Sequence, residues 1–341
     1  MTPVSIITGF LGSGKTTLLR RLLAHPDMGE TAVLVNELGE VGLDHILLRK
    51  VDEDIILLNS GCLCCTVRDD LVETLEELRA KRADGTIPPF KRVVIETTGL
   101  ADPAPILHTL MIDKALTRHY RLLGLVTTVD STHGGQQLDD HREAVKQTAM
   151  ADRIVLTKSD LAIGVTRDAL RRRLVLLNPS ATLFTASVDS GPSPNELFDA
   201  GFEARDKTAD VRAWLEEEEH HDSHTHHDHH HAPSPPRHDD LVSSFCLFRE
   251  TPLDWEVFAE WLELLLVNRG KQILRIKGIL NRDGHAKPLV VHGVQHVFYP
   301  PVEWPIWPDT DRRSKIVFIT HDLPRSAVEK SFHAWMDGGA T

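Results

Sequence analysis

Ile6-Ile7-Thr8-Gly9-Phe10-Leu11-Gly12-Ser13-Gly14-Lys15-Thr16-Thr17-Leu18 is the stretch that decides the fold. It fits G-x-x-x-x-G-K-[ST], the phosphate-binding P-loop. Gly12 and Gly14 let the chain turn so that successive N–H groups face one concavity. The helix that follows aims its positive end at the same place. The N–H groups of Gly12, Ser13, Gly14, Lys15, Thr16 and Thr17 then cradle phosphate. Lys15 reaches the β and γ phosphates, and the Thr16 hydroxyl is placed for Mg²⁺. An apolar strand precedes the motif and the amphipathic Leu18-Leu19-Leu22-Leu23 pattern follows it, which is the context the motif requires.

Working outward, apolar runs of strand length alternate with helical patterns as far as about residue 200. Strands are expected at 4–8, 32–36, 55–59, 92–96, 122–130, 153–157 and 181–185. Helices are expected near 16–24, 68–82, 103–112, 134–150 and 165–177. Apolar strands separated by helices predict an α/β fold, a P-loop NTPase with a mostly parallel sheet and helices on both faces. Ligands in such folds bind at the carboxyl ends of the strands.

The remaining motifs fall at those ends. Thr157-Lys158-Ser159-Asp160 stands where a guanine-selecting loop carries N-K-x-D. Asp160 would accept from guanine N1 and the 2-amino group, which adenine does not offer, and the Lys158 stem would lie along the base. Thr157 replaces the amide that would brace the loop. Glu96-Thr97-Thr98-Gly99 ends an apolar strand. Glu96 would hold Mg²⁺ directly or through water, and the Gly99 N–H would sense the terminal phosphate. Asn36-Glu37-Leu38-Gly39-Glu40 is a candidate first switch, and Asp130 is a third acid facing the phosphates. Gly61-Cys62-Leu63-Cys64-Cys65 brings three thiols into four positions. Thiolates select Zn²⁺, Cu⁺ or Co²⁺-like ions, and a set short of four ligands suits transfer better than structure. Glu37 or Glu40 would complete the shell.

The 341-residue chain carries a formal net charge of −12, and no Lys/Arg cluster in it suggests the basic face of a nucleic-acid binder. No apolar run is long enough to span a membrane, no signal peptide is expected, and the chain reads as cytoplasmic. Residues 216–219 are four glutamates, and 220–231 hold eight of the 20 histidines, before a Pro-rich stretch. Nothing there can bury a face, so 204–239 is expected to be a disordered His-rich linker able to bind Zn²⁺, Ni²⁺ or Co²⁺. The nucleotide-binding domain is placed at 1–203 and a small α+β domain at 240–341. The latter has strands near 242–248, 272–280, 288–292 and 315–319, a helix around Trp255–Leu265 and another after Leu323-Pro324. His292 and His296, four apart, are a weaker metal candidate, and Trp304 and Trp307 read as packing.

Together these motifs resemble the CobW-type metallochaperone GTPases, relatives of the nickel-insertion GTPases of hydrogenase and urease maturation. The likeness rests on 9–17, 36–42, Gly61-Cys62-Leu63-Cys64-Cys65, 96–100 and 157–160. In the second domain it rests on 269–270, 277–280, 292–296 and 311–314. The resemblance implies binding of GTP and Mg²⁺, zinc (or cobalt) held at the cysteines, and delivery to a client metalloprotein during GTP hydrolysis. Lys15, Glu37 and Glu96 are the candidate catalytic residues. No arginine finger is evident, so hydrolysis is expected to be slow until a client or a second subunit completes the site, and a homodimer stays open. Three alternatives also stay open: a cobalt chaperone for cobalamin or a cobalt enzyme, a small-metabolite kinase, and a zinc store built on the histidine tract with weak GTPase activity.

Overall fold

The computed structural model describes residues 1–35, 55–59, 67–198 and 241–338. The candidate switch at 36–42 with Glu37 and Glu40, the thiols Cys62, Cys64 and Cys65, and the 204–239 tract lie outside the described residues. Two compact units are present. One comprises 1–137, 143–171 and the described residues from 183 to 198. The other comprises 138–142, 172–182 and the described residues from 241 onward. Two short segments that the sequence reading assigns to 1–203 therefore group with the second unit.

The first unit is built on β1 (Thr2–Gly9), β2 (Thr31–Val35), β3 (Ile55–Asn59), β4 (Arg92–Glu96), β5 (Tyr120–Asp130), β6 (Arg153–Thr157) and β7 (Thr182–Thr185). They form a seven-stranded sheet in the order β3-β2-β4-β1-β5-β6-β7, and the registers from β3 across to β6 are parallel. The expected α/β fold is thus the observed one. β2, β4 and β6 are buried at nearly every position, which is why they read as continuous apolar runs. β1 is the strand at which the chain changes side: β2 to β4 lie to one side and β5 to β7 to the other. Ligands of such sheets bind at that crossover, and the P-loop leaves β1 there.

The helices are α1 (Lys15–Leu23), α2 (Val67–Ala83), α3 (Ala104–Ile112), α4 (Gly134–Asp140), α5 (Arg142–Met150), α6 (Gly164–Leu177) and the short α7 (Pro194–Phe198). Leu18, Leu19, Leu22 and Leu23 of α1 pack with Ile7, Val33, Val94, Val126 and Val155, so the helix that opens the P-loop is seated on the centre of the sheet. One expectation fails. The helix predicted over 134–150 is two helices, broken at His141. Asp139 and Asp140 stand at the carboxyl end of α4, where the helix dipole disfavours acids, and Glu143 stands in the first turn of α5, where the dipole favours it. α7 had no sequence signal long enough to be read.

The second unit carries an antiparallel sheet of β8 (Val242–Arg249), β9 (Ile273–Leu280), β10 (Leu289–Val294), β11 (Val297–Phe298), β12 (Val302–Glu303) and β13 (Ser314–His321). Its order is β11-β10-β9-β13-β8, with β12 beside β10. α8 (Trp255–Arg269) and α9 (Arg325–Gly338) cover one face. There Phe258, Trp261 and Phe332 meet Phe245, Ile276 and Phe318. Asp254 caps α8 by accepting from Glu256 N and Val257 N, so the start signal lies two residues beyond the Thr251-Pro252 pair. No described helix is long and apolar enough to cross a membrane.

Candidate functional site

The loop between β1 and α1 is built by its glycines. Gly12 and Gly14 hold φ of 72° and 88°, left-handed values that a side chain would resist. Gly14 is also the N-cap of α1, and it brings no side chain to compete for the first-turn N–H groups. Ser13 is fully buried, and its hydroxyl bonds Thr128 Oγ1 of β5 at 2.7 Å, so its side chain anchors the loop and only its main chain faces the cradle.

Lys15 is buried and donates to Gly9 O at 2.8 Å and Phe10 O at 3.2 Å, the carbonyls of its own loop. Burial pushes its pKa down from the ordinary value, and the nearby Glu96 charge partly offsets that. Thr16 Oγ1 donates to Glu96 Oε1 at 2.6 Å across 80 residues of sequence. The hydroxyl of the P-loop and the acid that ends β4 therefore share one point. Both offer hard oxygen donors, the set Mg²⁺ takes. Thr97 and Thr98, which follow Glu96, are buried. Thr97 is tied to β1 through Thr97 N to Ile7 O (3.0 Å) and Thr97 Oγ1 to Thr8 Oγ1 (2.8 Å).

A cavity of about 260 Å³ opens on the other side of the loop. Thr17, Arg21, Thr157, Lys158, Asp160 and Ser187 are among its walls. Asp160 and Lys158 are thus brought together with the P-loop, as a base-reading loop requires. Arg21 Nη2 donates to Pro192 O at 2.9 Å and holds the segment after β7 against α1. That segment, with Ala186, Ser187 and Val188, escaped the sequence reading. The signal available was its place at the end of a strand of the same sheet.

Two expectations are corrected here. Thr157 does not forfeit the brace of the missing amide. Its hydroxyl donates to Ser13 O at 2.6 Å and lies 3.2 Å from Val129 O, so it ties the base loop to the P-loop directly. Asp130, expected as a third acid facing the phosphates, is paired with Lys158. It is buried, accepts from Lys158 Nζ at 2.7 Å, and also accepts from Thr132 N, Thr132 Oγ1 and His133 N. Burial raises its pKa, but these hydrogen bonds, led by that from Lys158, outweigh it and hold the carboxyl well below the usual range. Asp130 therefore fixes the Lys158 side chain.

Residues 3–185 match the family described as CobW/HypB/UreG, nucleotide-binding domain, which is more than half of the chain. The chain belongs to the CobW/HypB/UreG family of P-loop GTPases. Residues 242–336 match the cobalamin synthesis protein CobW C-terminal domain. This CobW/HypB/UreG chain is 33% identical over 333 residues to zinc chaperone YjiA of Escherichia coli (strain K12), covering 96% of this chain and 97% of that one. It is 29% identical over 348 residues to zinc-regulated GTPase metalloprotein activator 1 of Schizosaccharomyces pombe, covering 95% and 83% respectively. Its fold matches the crystal structure of Zn(II)-bound YjiA GTPase from E. coli with a TM-score of 0.72 at 28% identity, over 98% of both chains. The CobW-type resemblance read from the motifs is borne out.

Among the described residues, no group of three or more His, Cys, Asp and Glu side chains is placed to hold a metal ion. His292 and His296 are not brought into such a group. His292 sits edge-on to Tyr299 with ring centroids 6.4 Å apart, and His296 lies against Gly270. Trp304 packs with Cys246, Ile279, Val290 and Val317, and Trp307 packs against this cluster.

Proposed function

We propose that this chain is a GTP-dependent zinc metallochaperone of the cytoplasm, which holds zinc at Cys62, Cys64 and Cys65 and passes it to a client metalloprotein in the course of GTP hydrolysis. The observation that carries the reading is the convergence on one P-loop of the Thr16–Glu96 pair on one side and the Lys158–Asp160 cavity on the other. Zinc chaperones among its relatives support the choice of cargo.

In this reading the N–H groups from Gly12 to Thr17 and the Lys15 ammonium hold the phosphates. Asp160 accepts from the guanine edge. Thr16 and Glu96 are the residues that would hold Mg²⁺, which when bound neutralises charge on the phosphate oxygens. The Gly99 N–H faces the terminal phosphate. Glu37, on the candidate switch that follows β2, contributes a carboxylate to the zinc thiolates while the triphosphate is bound. Hydrolysis frees that switch, and loss of one ligand weakens the zinc site. A tenfold change in affinity needs only about 1.4 kcal/mol, less than one metal ligand supplies. The domain division at 203 and 240, and a linker between them, belong to the same reading.

The test is a zinc competition titration of the full-length protein loaded with GDP or with a non-hydrolysable GTP analogue. The analogue-bound form is expected to hold zinc about tenfold more tightly or better. Equal affinities would sink the coupling. Full zinc retention by a variant lacking the three cysteines would move the cargo to another site, the histidine tract first.

A further inference from the structure

Gln147 lies on α5, away from every motif, and its side chain is fully buried. Its Nε2 donates to two carbonyls at once, Gly99 O at 3.2 Å and Ala101 O at 2.9 Å. Its Oε1 has no hydrogen-bond partner among the described residues. A buried amide with half its capacity unmet costs stability that an apolar side chain of similar size would spare. Its main-chain carbonyl accepts from Thr127 Oγ1 of β5 at 2.8 Å, so this part of α5 is itself fixed to the sheet.

The two acceptors flank a tight turn. Ala101 N donates to Thr98 O at 3.2 Å, which orients the peptide bearing the Gly99 N–H. Gln147 orients the carbonyls that follow. The turn is pressed on the P-loop: a Cβ at Gly99 would come within 2.6 Å of Leu11 Cδ2 and 2.7 Å of Leu11 N. Upstream, Thr97 is pinned to β1. Downstream, Asp102 pairs with Lys146 of the same helix at 2.5 Å. Residues 98–102 are thus held between the P-loop and one helix, and Gln147 supplies the buried part of that hold.

We propose that Gln147 is a positioning residue, which presets the turn at 98–101 so that the Gly99 N–H is aimed at the terminal phosphate of the nucleotide. The proposal rests on the GTPase reading above. It places the sensing of triphosphate against diphosphate under the control of a side chain on α5 that touches neither.

The test compares wild type with Gln147→Leu and Gln147→Glu in the full-length protein. The measurements are single-turnover GTP hydrolysis, affinities for GDP and a non-hydrolysable GTP analogue, and thermal melting. Both variants are expected to bind GDP within about twofold of wild type. Hydrolysis, and the preference for the triphosphate, should fall about tenfold, the effect of one misplaced donor. Gln147→Glu should lose at least as much, because a carboxylate would face two carbonyls. If Gln147→Leu does not fold, Gln147→Met keeps the length of the side chain and takes its place. Variants that melt earlier yet hydrolyse and discriminate as wild type does would reduce Gln147 to a structural role and overturn the proposal. Failure of the wild type to bind either nucleotide would instead overturn the functional reading itself.

Discussion

The two ends of the nucleotide site are built by different means. At the phosphate end, the cradle is main chain, shaped by Gly12 and Gly14, and Lys15 is bonded to the carbonyls of its own loop. At the base end, side chains do the shaping: Asp130 holds Lys158, Thr157 grips Ser13 O, and Arg21 fixes the segment after β7. The phosphate end is local in sequence, whereas the base end collects residues from α1, β5, β6 and the loop beyond β7. A phosphate looks much the same to any loop of amides, so the cradle can be contiguous. A purine must be read on its edge and its face together, which needs walls from several strands.

Three substitutions sharpen this contrast. The largest effect is expected from Lys15→Met. It should lower the GTP hydrolysis rate by about 10²-fold or more, the scale seen when a charged donor to a transition state is lost. Stability is the weaker readout, because removing the desolvated ammonium is offset by the loss of its bonds to Gly9 O and Phe10 O; hydrolysis at the wild-type rate would contradict the placement of Lys15 at the phosphates.

Next comes Thr157→Val, which strips the bond between the two ends and leaves Ser13 O without its hydroxyl donor. Denaturant unfolding should show a loss of about 2 kcal/mol, together with weaker GDP binding. Unchanged stability would mean that the two ends are independent.

The smallest effect belongs to Asp130→Asn, for which about 1 kcal/mol is expected at pH 7, since Lys158 is partly exposed. Its pH dependence is the sharper readout. The folded-state pKa of Asp130 is depressed, so its contribution is fully present above the unfolded value of about 3.9 and is lost only as pH falls through the folded one. The gap between wild type and variant should therefore stay flat from about pH 7 to 5 and close only in stronger acid. A gap that closes near neutrality would assign it to another group.

Much of the site could be read from sequence because its chemistry is written in short contiguous runs. Lys15, Thr16, Glu96, Lys158 and Asp160 were each identified by a neighbour or two and by a place at the end of an apolar strand. The partners of Asp130 and Thr157 are not legible in the sequence, since a side chain's partner depends on what the sheet order puts beside it. β5 and β6 are neighbours in the sheet, and that adjacency delivers Lys158 to Asp130. Gln147 was missed altogether, because a glutamine in an amphipathic helix gives no sign of which carbonyls it will meet. The break at His141 was missed for a related reason: apolar periodicity carries across a single disrupted turn.

What the sequence determined alone was the inventory and its order: a phosphate loop, an acid at the end of β4, a guanine-type loop, a cluster of thiols and a CobW-like second domain. These follow from local rules of φ, of hydrogen-bonding groups and of apolar spacing, which act over a few residues. What only the tertiary structure decided was pairing: Thr157 with Ser13 over 144 residues, Gln147 with Gly99 over 48, and Lys158 with Asp130 over 28. Such pairs are set by strand order, which depends on how the whole chain packs around β1 and leaves no mark on either partner's neighbours.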